Sequence, residues 1–312
     1  MSEPDSVIEA ARNAERDLWR HYGLAVTERF ITVADPPMRV RTLECGTTSG
    51  EPLLFVQGGL GEAWGWAGLM ANLSDFRCIT LDRPGGGFSD GVDFLEVDVR
   101  GLAVDVLQGV LDAAGAPQAA IIANSMGGWW AFQLAMRVPE RVSRMVMLGC
   151  PAVILDTSAP LPMRLMSARL LGRHLVKLMV PANPTKARDL PGFLGHPEQV
   201  GRSWPEAMAE TVYRFGRLPH FQRSWCALLR RFLRLGGTNP EMRIGPDELR
   251  SVAHPTLFLW GSEDPFGSVD AGRDAATLMP SARVEVVGRG HLPWWDDPEQ
   301  CARILRDFLV ST

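Results

Sequence analysis

The sequence predicts an α/β fold, in which a mostly parallel sheet is covered by helices on both faces and carries a helical cap insertion. Short apolar runs alternate with longer helical segments, as in the run 119–123 and the helical stretch 125–137. This alternation is typical of parallel β-α units. It stops at Pro151 and resumes at 255–260. About a hundred residues therefore interrupt one sheet.

The elements follow in order from the N-terminus. Apolar residues at helical spacing in 7–22 predict a helix, which belongs to an N-terminal helical extension over residues 1–27. Residues 29–33 and 39–45 are rich in β-branched and apolar side chains and flank a proline turn, which predicts an antiparallel hairpin. Buried parallel strands are predicted at the later apolar runs, namely residues 52–56, 76–81, 119–123, 141–148, 255–260 and 282–287.

These elements divide the chain into a core, residues 28–150 and 251–312, and a helical cap, residues 151–250. In the cap, the stretch 161–180 carries cations every four residues beside an apolar face, which predicts a helix. Such a face suits a membrane surface, but its position in the insertion favours a helix that covers the substrate pocket.

Composition and charge exclude several classes of protein. The 312 residues are 46% hydrophobic and 22% charged, with a formal net charge of -4, which favours a folded domain over a disordered chain or a nucleic-acid-binding surface. No apolar run approaches the roughly 20 residues of a membrane-spanning helix. No secretory signal is visible at the acidic start, and the five cysteines are scattered, so we expect a cytoplasmic location. The expected partner is a small-molecule substrate, with no nucleic acid and no membrane, for a monomer or homodimer.

Ser125 lies at a predicted junction between a strand and a helix. Ala123 and Gly127 are the small residues two positions before and after it. This pattern is typical of a nucleophile elbow, in which a sharp turn projects the serine hydroxyl and leaves no room for bulky neighbours. Taken alone, the pattern also fits an ordinary packed turn.

A serine nucleophile requires a base and an acid that orients the base. His291 lies in a glycine-containing loop after the last predicted strand, at the sheet edge where such sites are assembled. Asp264 follows the strand 255–260, with Glu263 and Asp270 as rivals. The resulting order of serine, aspartate and histidine is that of an α/β-hydrolase triad.

A glycine-rich loop after the strand 52–56 predicts an oxyanion hole. The expected donors are the main-chain N–H of Gly59, with Leu60 as the fallback, and that of Met126 after the nucleophile. The same loop partly matches a dinucleotide-binding fingerprint. In that reading the third glycine would fall at Trp64, which is too large for close helix–strand packing.

With these motifs, residues 28–312 resemble the α/β-hydrolase fold family. The segments that most resemble bacterial capped serine hydrolases, including meta-cleavage-product C–C hydrolases and related esterases, are NSMGG (124–128), PERVSRMVMLG (139–149) and GRGHLPWWDDPE (288–299). The resemblance implies a triad of Ser125, Asp264 and His291 and an oxyanion hole at Gly59 and Met126. The family's loop usually begins His-Gly, whereas this chain has glutamine at position 57.

We therefore expect a serine hydrolase that cleaves a carboxylic ester or lactone of a small apolar molecule through an acyl-enzyme, without a metal or organic cofactor. The alternatives are C–C bond hydrolysis of the meta-cleavage type and a ligand-binding receptor with little turnover. Trp129 and Trp294 flank the predicted site, so we expect them to line an apolar pocket, with core packing as the other interpretation. Asp82 and Arg83 are expected to serve a tight turn.

Overall fold

The computed structural model describes residues 3–59 and 61–310. Leu60, the fallback oxyanion donor, lies outside these residues. The strands are β1 (Thr27–Ala34), β2 (Pro37–Gly46), β3 (Pro52–Val56), β4 (Arg77–Leu81), β5 (Ala119–Asn124), β6 (Val142–Leu148), β7 (Leu233–Arg234), β8 (Gly237–Thr238), β9 (Thr256–Trp260) and β10 (Ala282–Val286). Eight of them form one sheet in the order β1-β2-β4-β3-β5-β6-β9-β10, and β7 and β8 form a separate short pair. In the sheet, the two pairs that involve β2 are antiparallel and the others are parallel.

Some helices cover the two faces of the sheet, and others lie in the residues between β6 and β9. They are α1 (Glu3–His21), α2 (Ala67–Met70), α3 (Val99–Ala113), α4 (Met126–Arg137), α5 (Leu161–Met166), α6 (Gly172–Met179), α7 (Pro184–Ala187), α8 (Leu190–Phe193), α9 (Glu198–Ser203), α10 (Glu206–Phe215), α11 (Phe221–Phe232), α12 (Pro246–Ser251), α13 (Val269–Leu278), α14 (Pro293–Asp296) and α15 (Pro298–Val310). None of those within the described residues is long and apolar enough to cross a bilayer.

The central strands are apolar on both faces because each face packs against a separate hydrophobic cluster. In β5, Ile121 joins the cluster that includes residues of α3 and α4, whereas Ile122 joins the cluster that includes residues of α2 and α15. Successive side chains of a strand point to opposite faces, so a continuous apolar run is what a doubly covered sheet requires. The predicted mostly parallel, doubly covered α/β sheet is confirmed.

The residues between β6 and β9 leave the sheet and return to the neighbouring strand, since these two strands pair in parallel. They form α5 to α12 and the short β7-β8 pair. The stretch 161–180 is not one helix: α5 ends at Met166 and α6 begins at Gly172, where a side chain would come within 2.2 Å of the Met166 carbonyl oxygen. Leu170 and Leu178 in this stretch are more than 80% exposed, so these two leucines do not cover a pocket.

The N-terminal helix α1 packs on both the core and the insertion. Leu18 and Trp19 share a hydrophobic cluster with Met208 and Val212 of α10. Glu15 of the same helix pairs with Arg41 of β2, at 2.7 Å between carboxylate and guanidinium. The helix therefore joins the inserted segment to β2 of the sheet.

Candidate active site

Ser125 occupies a strained turn between β5 and α4. Its backbone angles are φ 51° and ψ -117°, a region that residues other than glycine rarely adopt. The neighbours leave no room for larger groups: a side chain on Gly127 would meet the Val56 carbonyl oxygen at 1.9 Å, and one on Gly58 would meet the Ser125 Cβ at 2.8 Å. The turn therefore needs glycine at position 127, one of the two small residues on which the sequence prediction of an elbow relied, and also at position 58.

His291 and Asp264 form a buried pair at the carboxyl edge of the sheet. Nδ1 of His291 lies 2.8 Å from Oδ2 of Asp264. The same carboxylate accepts the N–H of Cys150 at 2.8 Å and the N–H of Phe266 at 2.9 Å. An ionised carboxylate only accepts hydrogen bonds, so this arrangement places the imidazole proton on Nδ1 and leaves Nε2 as the basic nitrogen.

The two rival acids lie elsewhere. Glu263 pairs with Arg289, and Asp270 pairs with Arg273, in largely exposed ion pairs. Neither carboxylate is hydrogen-bonded to His291.

Asn124 links the serine turn to the histidine loop. Its side-chain Nδ2 donates to the carbonyl of Leu148 at 2.6 Å and to the carbonyl of His291 at 3.0 Å. One residue thus joins the ends of β5 and β6 to the loop that carries the base. Nε2 of His291 is buried and has no hydrogen-bond partner among the described residues, so the Ser125 hydroxyl is not bonded to it in this structure. Such catalytic contacts commonly tighten only when substrate is bound.

Arg83 holds the loop that contains Gly59. Its Nε donates to the carbonyl of Gln57 at 3.0 Å and its Nη2 donates to the carbonyl of Gly59. The side-chain Oε1 of Gln57 accepts the N–H of Gly58 at 2.9 Å, so the glutamine that replaces the family's usual histidine braces the loop. The peptide that bears the Gly59 N–H therefore lies between two anchored peptides.

Two features, one in this loop and one at the start of α4, suit the site to an anionic oxygen. Gly59 has φ 55°, a conformation that glycine adopts without a steric cost. Met126 is the first residue of α4, and the first N–H groups of a helix have no partner within it. The structure thus leaves both predicted N–H groups on elements that meet at Ser125.

Burial changes the ionisation of two groups beside the loop. It raises the pKa of Glu62 to about 7 and lowers the pKa of Arg83 to about 9, because both charged forms lose hydration there. The carboxylate of Glu62 offsets part of the effect on Arg83.

Asp82 lies in a buried ion network behind the same loop. It accepts the N–H groups of Ala63 and Phe88 and a hydrogen bond from Arg41 at 3.0 Å. These contacts hold the loop after β4 in place, which agrees with the turn role expected for Asp82.

Trp129 and Trp294 have the contacts of core residues. The indole N–H of Trp129 donates to the carbonyl of Met242 at 2.7 Å, and that of Trp294 donates to the carbonyl of Gly65 at 2.9 Å. Trp294 also stacks on Trp66. These contacts do not support the substrate-lining role expected from the sequence.

Other aromatic side chains lie closer to the reacting groups. Trp225 of α11 faces Gly59, where a side chain would come within 3.6 Å of its ring. The ring of Phe266 stacks on the His291 imidazole, with 4.0 Å between the centroids. Sequence analysis missed both, because each is brought to the site by the path of a loop or cap helix and carries no motif of its own. Asn124 was within reach of sequence analysis, since it directly precedes the nucleophile.

Comparison with known proteins places the chain in a broad family. The family profile described as alpha/beta hydrolase fold matches residues 51–298. A 2-hydroxy-6-oxononadienedioate/2-hydroxy-6-oxononatrienedioate hydrolase of Burkholderia vietnamiensis is 28% identical, over 91% of this chain and 96% of its own length. A 2-hydroxy-6-oxo-6-phenylhexa-2,4-dienoate hydrolase of Burkholderia cepacia is 27% identical, over 92% of this chain and 98% of its own length.

A solved structure gives the same fold at lower identity. A carboxylesterase of Bacillus subtilis superposes with a TM-score of 0.75 and 18% identity, over 98% of this chain and 99% of that one. At this identity the likeness shows the fold alone.

Proposed function

The chain belongs to the alpha/beta hydrolase fold family, and on that premise we propose that it is a serine hydrolase with Ser125 as the nucleophile. The observation that carries the proposal is the 2.8 Å pair of His291 and Asp264, at the sheet edge where Ser125 occupies its strained turn. Acyl transfer requires a base held in one tautomer that can reach the serine hydroxyl, and the oriented imidazole of His291 at the sheet edge of Ser125 supports that assignment.

In the proposed reaction, the Ser125 oxygen attacks a carbonyl carbon while its proton passes to Nε2 of His291. The N–H groups of Gly59 and Met126 donate to the oxyanion of the tetrahedral intermediate. His291 then gives the proton to the leaving group, which departs and leaves an acyl-enzyme. A water molecule, deprotonated by His291, attacks the acyl carbon and releases the acid and the free serine.

We propose a carboxylic ester or lactone of a small apolar molecule as the substrate. Trp225 and Phe266 give the surroundings of the reacting groups an apolar character. Arg83, which lies beside the oxyanion loop, donates through Nε and Nη2 to two main-chain carbonyls and so holds that loop.

The second candidate is hydrolysis of a C–C bond next to a ketone, which the names of the two Burkholderia relatives favour. The same serine, base and oxyanion hole would serve it. The leaving group is then a carbon, so His291 must deliver its proton to that carbon.

The test compares the wild-type chain with Ser125→Ala. The substrates are p-nitrophenyl esters of graded length, aryl lactones and 2-hydroxy-6-oxo-6-phenylhexa-2,4-dienoate, with a fluorophosphonate probe to label the nucleophile. Ser262→Ala is the matched control, because its hydroxyl donates to the Gly288 carbonyl and not to the triad. Ester turnover that is lost in Ser125→Ala and kept in Ser262→Ala supports the proposal.

Each remaining outcome is also decisive. Ser125-dependent cleavage of the dienoate with little ester turnover would replace the ester proposal with the C–C candidate. Labelling of Ser125 without turnover of any substrate would favour a receptor. A wild-type chain that neither reacts with the probe nor turns over a substrate would refute the serine hydrolase itself.

A further inference from the structure

A short segment of the insertion, residues 194–196, contacts the loop that carries His291. The carbonyl of Leu194 accepts the N–H of His291 at 2.8 Å. Nε2 of His196 accepts the N–H of Leu292 at 3.2 Å. The inserted segment thus binds the main chain of the proposed base and of the next residue.

Asp296 binds the other end of the same loop. Its Oδ2 accepts the N–H of Arg289 at 2.7 Å and that of Gly290 at 3.2 Å, and its Oδ1 lies 2.8 Å from Nδ1 of His196. Four consecutive N–H groups, 289 to 292, are therefore bound by Asp296 or by the inserted segment. Burial raises the pKa of Asp296, but hydrogen bonds from His196 and the main chain outweigh it and keep that pKa below its usual value.

His196 has one protonation state that fits these contacts. Nε2 must be unprotonated to accept the Leu292 N–H, so the ring proton is on Nδ1 and is donated to Asp296. The side chain is fully buried. His196 and Asp296 thus form a second histidine–carboxylate pair. This pair binds the main chain of the His291 loop, whereas the pair of His291 and Asp264 takes part in the proposed reaction.

The fit between the two segments depends on glycine at both sides. A side chain on Gly290 would come within 2.4 Å of the His196 ring. One on Gly195, which has φ 83°, would lie 3.5 Å from the Cα of Gly290 and within 2.6 Å of the Glu263 carbonyl oxygen in the neighbouring loop. Such close backbone approach indicates a fixed contact between the segments.

The two sides of the histidine loop have different partners. Its carbonyls face the core: Asn124 donates to the carbonyl of His291, and the N–H of Glu263 donates to the carbonyl of Arg289 at 2.7 Å. The N–H groups of His291 and Leu292 are bound by the insertion alone. A shift of the insertion must therefore move His291 or break these two bonds.

We infer that His196 is a positioning residue for the reaction, which sets the place of His291 through the backbone of its loop. The inference rests on the proposed function, in which His291 is the base. It makes the inserted segment part of the catalytic machinery, because the insertion fixes the base and does more than cover the substrate.

The experiment compares His196→Phe, which keeps a planar ring but removes both hydrogen bonds, with His196→Gln, whose amide can still donate and accept. His174→Ala is the control, since it removes an exposed histidine of the same insertion. We expect kcat of His196→Phe to fall about 10- to 100-fold with little change in KM, because a displacement of about 1 Å at a reacting group costs that much. His196→Gln should recover most of the loss, and His174→Ala should match the wild type.

Hydrogen exchange separates this inference from the proposed function. The 291 and 292 amides should exchange at least about tenfold faster in His196→Phe, whether or not the chain hydrolyses the substrates tested. A chain inactive even as wild type, with this loss of protection, would refute the proposed function and leave the contact established. Unchanged protection, or unchanged kcat in a folded His196→Phe, would overturn the inference.

A second variant covers the case in which His196→Phe does not fold. Gly290→Ala places a methyl group against the His196 ring, and Gly290→Ala/His196→Ala has room for it. We expect Gly290→Ala to lower kcat, and the double variant to be no worse than His196→Ala alone. Additive losses in the double variant would contradict a contact between these two residues.

Discussion

Asp264→Asn tests the role of the buried carboxylate at nearly constant volume. The wild-type carboxylate accepts three hydrogen bonds, from the His291 ring and from the N–H groups of Cys150 and Phe266. An amide has one acceptor oxygen and one donor nitrogen, so it cannot satisfy three donors. Two orientations of the amide remain, and both lower activity.

In the first orientation, the amide oxygen replaces Oδ2 and keeps the bonds to His291 and Cys150. The base keeps its tautomer but loses the negative charge that stabilises the imidazolium. For unit charges about 4 Å apart at an effective dielectric constant of about 20, that attraction is about 4 kcal/mol. Since about 1.4 kcal/mol corresponds to a factor of ten, kcat falls about 10³-fold.

In the second orientation, the amide nitrogen replaces Oδ2 and donates to Nδ1 of His291. The imidazole proton then moves to Nε2, which can no longer accept the serine proton, and a loss of about 10⁴-fold follows. The N–H of Cys150 also faces a donor at a buried site, which destabilises the fold by about 1–3 kcal/mol. Both orientations therefore predict a fall in kcat of about 10³- to 10⁴-fold.

The assay measures kcat and the rate of fluorophosphonate labelling at neutral pH, with thermal unfolding to confirm that the variant is folded. Asp270→Asn is the matched control, because that carboxylate pairs with Arg273 in an exposed contact. A folded Asp264→Asn that keeps more than a tenth of the wild-type kcat would refute the assignment of Asp264.

Three further predictions concern the surroundings of the site. Glu62 has a folded-state pKa of about 7 against an ordinary value of 4.5, so the folded chain binds more protons than the unfolded chain and loses stability as pH rises between these values. Glu62→Gln should therefore raise the free energy of unfolding by up to about 3 kcal/mol at pH 8 and change it little at pH 4.5. Equal effects at the two pH values would contradict this reasoning. Arg41→Met leaves the buried carboxylates of Glu15 and Asp82 without their cation and should cost about 3–5 kcal/mol in urea unfolding, whereas an effect below about 1 kcal/mol would contradict a buried network. Gly58→Ala places a methyl group 2.4 Å from the Asn124 side-chain oxygen and should lower kcat about 10- to 100-fold. Gly192→Ala is the control, because there is open space at its Cβ, and it should have the wild-type kcat. Equal kcat in both variants would count against the proposed role of the loop that contains Gly59.

The sheet could be predicted from the sequence because its signal is local. A run such as 119–123 can be recognised within a few residues, and its alternation with helical segments indicates parallel pairing. The proposed triad could be predicted for a related reason. Ser125, Asp264 and His291 each follow a predicted strand, at the same edge of the sheet.

The rest of the site depends on contacts between distant loops. His196 meets Leu292 across 96 positions, and Asn124 meets His291 across 167. Neither residue forms a repeat, a period or a charge pattern that would indicate its partner. The break between α5 and α6 escaped prediction because the apolar and charge pattern of 161–180 does not show that Gly172 packs closely against the Met166 carbonyl.

These contacts bear on how the inserted segment relates to catalysis. Among the contacts of the insertion are those of α10 with α1, of Trp225 with Gly59, and of residues 194–196 with the His291 loop. The last two contacts fall on the proposed oxyanion donor and on the proposed base. A chain lacking the insertion would therefore keep the three side chains of the triad but lose the bonds to the N–H groups of His291 and Leu292 and the ring of Trp225 beside Gly59. On this reasoning, one insertion carries both the aromatic ring beside Gly59 and the contacts that position His291, so a change that shifts the insertion as a whole should alter kcat.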